Sequence, residues 1–266
     1  MYSFRVFHEY EKSAWTLKSI AWDRIDRDRL QPEYVTLAKS AVMGECNSIA
    51  ALHGFLNELP NDYDFGAFAS IWGYQELQHH YAFRTWLDEI GEEINTAAVE
   101  VTRSVYPPGT TPAATLATNI ISELTVCHVY SGLAQEVEEP ILRQILTNAS
   151  RDEARHAREF RHFVERRLEQ HPDEMASVLE TLYVYTADPD KKIKHPVSVF
   201  KGALPELQGL ETIDTGFDLF RSLTSQQSLE RLRSKILAVF ESLTGHDVDR
   251  PAAIRRAIAA HWIEPR

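Results

Sequence analysis

Apolar residues recur at spacings of three and four along most of the chain, the period of helices packed against a shared core. Ala38, Ala41, Glu45, Ile49, Leu52 and Leu56 share one face. They predict a helix that opens at Gln31-Pro32 and runs to about Leu59, where Pro60-Asn61-Asp62 stops it. A second helix is predicted from about Asp64 to Ile90, facing inward with Phe68, Trp72, Glu76, His79, Phe83 and Leu87 and capped by Gly91. Residues 91–111 are rich in β-branched side chains, end in Pro107-Pro108-Gly109 and read as a long crossover. Thr111-Pro112 opens a third helix with the face Leu116, Ile120, Glu123, Cys127 and Tyr130. Glu139-Pro140 breaks it and starts a fourth, with the face Leu142, Ile145, Ala149, Glu153, His156, Phe160 and Phe163. That helix runs to about Gln170 and ends at His171-Pro172-Asp173.

The flanks have a different texture. Residues 4–22 read as a short leading helix or irregular arm, with Tyr10, Ala14, Leu17 and Ala21 as one stripe. Beyond the fourth helix, further helices are predicted near 174–186, 198–208, 216–243 and 251–263, punctuated by Gly216, Gly245 and Pro251. A loop from Asp188 to Pro196 carries Lys191, Lys192 and Lys194. No segment reads as a strand or a domain linker. The expected fold is all-α: a single domain over 1–266, with a four-helix bundle at about 31–170, a long crossover, and a helical extension at about 173–266 packed on it. The halves 31–90 and 112–170 form a weak internal repeat.

The repeat carries chemistry. Glu76-Leu77-Gln78-His79 and Glu153-Ala154-Arg155-His156 are both Glu-x-x-His strings, and residues three apart on a helix point the same way. Glu45 precedes the first string by 31 residues and Glu123 precedes the second by 30. That is one helix, a turn and part of the return, so at about 1.5 Å per residue an antiparallel neighbour reaches the same depth. A lone Glu-x-x-His is usually a solvated pair, and the chain has 11 His. Here all four carboxylates lie on apolar faces, where uncompensated burial costs several kcal/mol each. Two cations resolve that cost. Four carboxylates and two imidazoles favour iron, with manganese as a substitute, over zinc. The expected arrangement has Glu76 and Glu153 as bridges, Glu45 and His79 completing one ion, and Glu123 and His156 the other.

Composition narrows the setting. A net charge of −11 argues against a general nucleic-acid binder. Cys46 and Cys127 are the only cysteines, form no CxxC, and suit a reducing cytoplasm. The N-terminal residues show no basic segment followed by an apolar run, and no stretch approaches 18 apolar residues. A cytoplasmic location without leader or membrane span is expected.

With these residues in view, the chain resembles the soluble acyl-carrier-protein desaturases of the ferritin-like superfamily. Trp72-x-x-x-Glu76-x-x-His79 resembles that family's Trp-x-x-Glu-Glu-x-x-His element, and Asp152-Glu153-Ala154-Arg155-His156 its Asp-Glu-x-Arg-His element. The stretch from Phe163 to Pro172-Asp173, His195-Pro196 and Leu243-Thr244-Gly245 are similar in layout, and the resemblance covers about 31–260. It implies a homodimeric bundle, a di-iron centre that activates O2 with electrons from a ferredoxin, and an apolar channel for an acyl chain. It also implies that Asp152 orients a ligating His. The chain departs from the pattern at Gln75, where the family has a second Glu, and at Val126, where a hydroxyl residue is expected and Thr125 is adjacent. Related N-oxygenases carry a seventh ligand, a His, at the position of Ala149; its absence favours the desaturase side.

The leading expectation is therefore an O2-dependent di-iron oxidoreductase acting on an unactivated C–H bond, as in an acyl-carrier-protein or coenzyme A acyl desaturase. Alternatives are a hydroxylase or N-oxygenase of a small amine or amino acid, a ferroxidase or iron store, and a radical-generating subunit. Cys127 and Tyr130 are channel candidates, with burial in the core as the plainer reading. Trp72 could lie on an electron route or simply fill the core. His80, His128 and His162 read as surface residues or supports beside the ligands. Arg151, Arg155, Arg158, Arg161, Arg166 and Arg167, with the lysine loop, could receive an acidic carrier protein, or form a solvated face with pairs such as Glu159 and Arg155.

Overall fold

The structure, a computed structural model, describes residues 1–94, 109–187 and 225–262. The described residues are all-α, without strands, and compatible with a helical bundle. The predicted helix near 198–208, the loop with Lys191, Lys192 and Lys194, most of the crossover and residues 216–224 lie outside them. No helix among them is long and apolar enough to cross a membrane.

The helices are α1 (Tyr2–Ser13), α2 (Pro32–Glu45), α3 (Ser48–Glu58), α4 (Tyr63–Ile90), α5 (Pro112–Glu136), α6 (Pro140–Gln170), α7 (Met175–Thr186), α8 (Gln226–Thr244) and α9 (Pro251–His261). The chain divides into two compact units. Residues 1–94 and 129–152 belong to the first, and 109–128, 153–187 and 225–262 to the second. The division falls inside α5, after His128, and inside α6, after Asp152.

In the first unit α4 is the hub, with α1, α2 and α3 packed on it. Its limits follow local chemistry. Asp62 caps the start by accepting the Phe65 N–H at 3.0 Å, and Gly91, at φ 87°, ends it in the left-handed conformation that glycine adopts without strain. Phe68, Trp72, Glu76, His79, Phe83 and Leu87 are all buried, as the periodicity predicts. Gly73 permits close approach of α3: a Cβ there would meet Leu52 Cδ2 at 2.9 Å.

Two expectations need correction. The helix predicted over 31–59 is broken at Cys46 and Asn47, directly after Glu45. Asn47 Nδ2 donates to the carbonyls of Met43 and Gly44, and Ser48 Oγ to that of Glu45, so side chains satisfy the carbonyls freed by the break. After the break the face turns, leaving Ile49 and Leu56 exposed. The N-terminal stripe also fails. Ser3 and Val6 are the buried residues of α1, which ends at Ser13 and leaves Ala14 exposed. Residues 14–30 continue as an arm with three short 3-10 turns.

Glu139 ties this arm to the start of α6. Its carboxylate is fully buried and accepts from Asp26 N at 3.2 Å, Trp86 Nε1 at 2.8 Å, Ile141 N at 3.2 Å and Leu142 N at 2.7 Å. In the second unit α7 packs against α8 and α9. Glu174 joins the start of α5 to the end of α6, accepting from Ala113 N at 2.9 Å and from Arg167 Nε at 3.0 Å.

Candidate metal centre

The predicted ligands assemble within each unit. In the first, Glu45 is the last residue of α2, while Glu76 and His79 lie one turn apart on α4. Each offers one ligand atom, and these atoms lie within 4.8 Å of one another. In the second, Glu123 of α5 meets Glu153 and His156 of α6 under the same limit. Relative exposure is 6 % for Glu45, 7 % for Glu76, 5 % for Glu123 and 1 % for Glu153, and both imidazoles are buried.

The two histidines present the same atom. His79 Nδ1 lies 3.8 Å from Glu45 Oε2. His156 Nδ1 lies 3.3 Å from Glu123 Oε2 and 3.1 Å from Glu153 Oε2. On His79 the other ring nitrogen is engaged: Nε2 sits 3.1 Å from Asp152 Oδ2. A buried carboxylate accepts, so Nε2 donates to Asp152 and Nδ1 is the ring atom left on the Glu45 side. A cation between Nδ1 and the Glu45 carboxylate would compensate the buried negative charge. Hard oxygens, an imidazole nitrogen and a carboxylate behind the imidazole make a donor set that fits a first-row transition ion. The second group offers the same ligand types, with carboxylate oxygens of Glu123 and Glu153 converging on His156 Nδ1.

Asp152 has a second partner that the sequence did not reveal. Trp15, from the N-terminal arm, donates its Nε1–H to Asp152 Oδ2 at 2.7 Å. The indole also lies parallel to the His79 ring, 6.1 Å between centroids and 4° between planes. Gln78, beside His79, donates its amide to the Trp15 carbonyl, which fixes the arm to α4. The only hint in the sequence is a tryptophan in the otherwise small and polar run Ser13-Ala14-Trp15-Thr16.

Other candidates are placed as follows. Tyr130 is buried, stacks obliquely on Phe83 and donates its hydroxyl to Glu45 Oε1, so it restrains a candidate ligand carboxylate as well as filling core. Trp72 is buried against Phe55 at 5.3 Å. Cys127 is buried. Burial pushes its thiol pKa up; Lys235 opposes this, and the Glu153 and Glu123 carboxylates reinforce it. His80 is not a surface residue: it is buried, with Nδ1 3.0 Å from the Val42 carbonyl. His128 is half-buried and pairs with Ser228 Oγ at 2.8 Å; His162 packs edge-on against Phe163.

The arginines of α6 are largely committed locally. Arg158 binds Glu159, the partner expected for Arg155. Arg161 binds Glu165 at 2.8 Å, Arg166 lies over the Phe163 ring, and Arg167 binds Glu174.

Comparison with known proteins adds one finding. A family model described as fatty acid desaturase matches residues 116–201, about a third of the chain, including Glu123, Glu153 and His156. No curated protein matches. The match supports a fatty-acid-desaturase-like family, and with the buried carboxylate–imidazole groups it suggests a metal-dependent oxidoreductase.

Proposed function

We propose that this protein is an O2-dependent non-haem di-iron desaturase of the ferritin-like type, acting on an acyl chain carried by acyl-carrier protein or coenzyme A. One observation carries the reading: the chain holds two buried groups of the same composition, Glu45, Glu76 and His79 in one and Glu123, Glu153 and His156 in the other. The desaturase family match over α5 and α6 supports the reaction class. In this reading Glu45, Glu76 and His79 would hold one iron, and Glu123, Glu153 and His156 another.

Iron would supply the activation of O2, which with two electrons and two protons takes two hydrogens from adjacent carbons and leaves an alkene and two waters. The protein's own residues position and protect. Asp152 holds the His79 proton on Nε2, keeping Nδ1 basic, and Trp15 fixes Asp152. Tyr130 restrains Glu45. Phe83, Phe160 and Phe163, all buried, keep water from the neighbourhood of the ligands. Cys127, protonated and buried, acts as an apolar wall rather than a ligand. A ferredoxin-type donor, a carrier protein, a homodimer and a cytoplasmic setting belong to the same proposal.

A second reading, oxygen insertion into a C–H or N–H bond, is favoured by Val126 and Gln75, which replace residues of the desaturase pattern. The test is product analysis with iron-loaded protein, a chemical or ferredoxin reductant, O2 and a panel of acyl-carrier-protein and coenzyme A thioesters. A product lighter by two hydrogens supports desaturation. A product heavier by one oxygen supports the second reading, and iron uptake without any substrate turnover supports ferroxidase activity.

A further inference from the structure

A second group of metal-ligating side chains lies outside the six buried ligands. Gly245 ends α8 at φ 69°, the left-handed conformation that reverses the chain and brings His246 back over the helix end. The backbone N–H of His246 donates to Thr244 Oγ1 at 3.3 Å. Val248, fully buried, anchors the loop that follows. Pro251 then opens α9, whose residues Ala253, Ile254 and Ala257 are buried. His261 is the last residue of α9. Both histidines thus sit on fixed backbone within one unit.

Their imidazoles meet Nε2 to Nε2 at 2.7 Å, ring centroids 4.8 Å apart and planes at 85°. At that distance one proton is shared between two nitrogens, whichever ring holds it. Doubly protonated rings would repel, and the His261 pKa is lowered, by burial first and by the charge of His246 second. The neutral pair therefore leaves one lone pair and one exchangeable proton between converging nitrogens.

We propose that His246 and His261 form an outer chelating site for a borderline divalent cation of the Zn2+, Ni2+ or Cu2+ class, which replaces the shared proton and clips the end of α9 to the end of α8. Bonds of about 2.0–2.1 Å to each nitrogen at a tetrahedral angle need the nitrogens about 3.3 Å apart, an opening of a few tenths of an ångström for two partly exposed side chains. Two imidazoles select this class over Mg2+ and Ca2+, which take oxygen ligands. Water can fill the remaining positions. The site is independent of the iron proposal.

Trp262, adjacent to His261 and 64 % exposed, is a built-in reporter. The test titrates the iron-loaded full chain with Ni2+, reading fluorescence quenching and calorimetric stoichiometry. One equivalent is expected, with quenching lost in Trp262→Phe. His246→Gln and His261→Gln, which keep hydrogen-bonding capacity, should each weaken binding about tenfold or more. Should either Gln variant misfold, Zn2+ protection of His246 and His261 from diethyl pyrocarbonate in the unaltered chain reads out the same site by mass spectrometry. Equal Ni2+ binding by the three chains, no bound equivalent, or no Zn2+ protection would overturn the proposal. Repeating the titration without iron separates this outcome from the iron reading, since the outer equivalent is expected either way.

Discussion

Trp15 donates its indole N–H to the Asp152 oxygen that also faces His79 Nε2, a link across 137 residues of sequence. It makes the N-terminal arm part of the support of His79, a proposed metal ligand. Asp152 is 1 % exposed, so losing the indole donor leaves a buried charge less well satisfied and His79 less fixed. Trp15→Phe is expected to lower iron affinity about 10–100-fold while leaving the helical circular dichroism unchanged. Equilibrium dialysis against Fe2+ under anaerobic conditions measures this. Unchanged affinity would show that the arm only covers the helix.

Cation loading should stabilise the fold. Burial places Glu45, Glu76 and Asp152 of one unit, and Glu123 and Glu153 of the other, in apolar surroundings, and bound cations would relieve the repulsion within each group. At free metal 100 times its dissociation constant, one site contributes about 2.7 kcal/mol. In a protein of this size that raises Tm by roughly 5–10 °C. Differential scanning calorimetry with and without Fe2+ or Mn2+ checks it, and a chelator should reverse the gain.

Glu139 should matter for stability rather than chemistry. Glu139→Ala removes four acceptor contacts and leaves the Trp86 indole N–H buried without its partner. Destabilisation of about 3 kcal/mol is expected from charge-assisted hydrogen bonds of this kind. Urea unfolding gives the value.

His128 gives a pH dependence with a defined sign. Its pKa lies below the ordinary 6.5, because burial comes first and Lys235 and Arg231 add to it. The unfolded chain takes up this proton before the folded one does. The contribution is therefore fully present above pH 6.5 and is lost as pH falls through the depressed folded value. Urea midpoints for the unaltered chain and His128→Gln, compared at pH 7.5 and 5.5, should differ more at the higher pH.

Much of this was legible in the sequence, for identifiable reasons. Helix α4 was bounded correctly because Asp62 and Gly91 are local signals that act through the nearest backbone. The pairing of Glu76 with His79 and of Glu153 with His156 was legible because three-residue spacing fixes a shared direction on any helix. The break after Glu45 was hidden: apolar periodicity runs straight through Cys46 and Asn47, and the side-chain bonds of Asn47 and Ser48 that stabilise the break need the folded backbone. Trp15 was hidden for a related reason. It sits between short 3-10 turns and α1, where no period exists, and its partner is remote in sequence. Tyr130 shared the apolar face of α5, so its hydroxyl contact with Glu45 was indistinguishable from core.

The proposed di-iron centre is tested most directly by anaerobic titration of the purified full chain with Fe2+, read as bound iron per chain and by Mössbauer spectroscopy. Two bound irons per chain are predicted, with uptake reduced in Glu45→Ala, Glu76→Ala, Glu123→Ala and Glu153→Ala chains that retain their helical content. No bound iron, or uptake that is the same in all five chains, would contradict it.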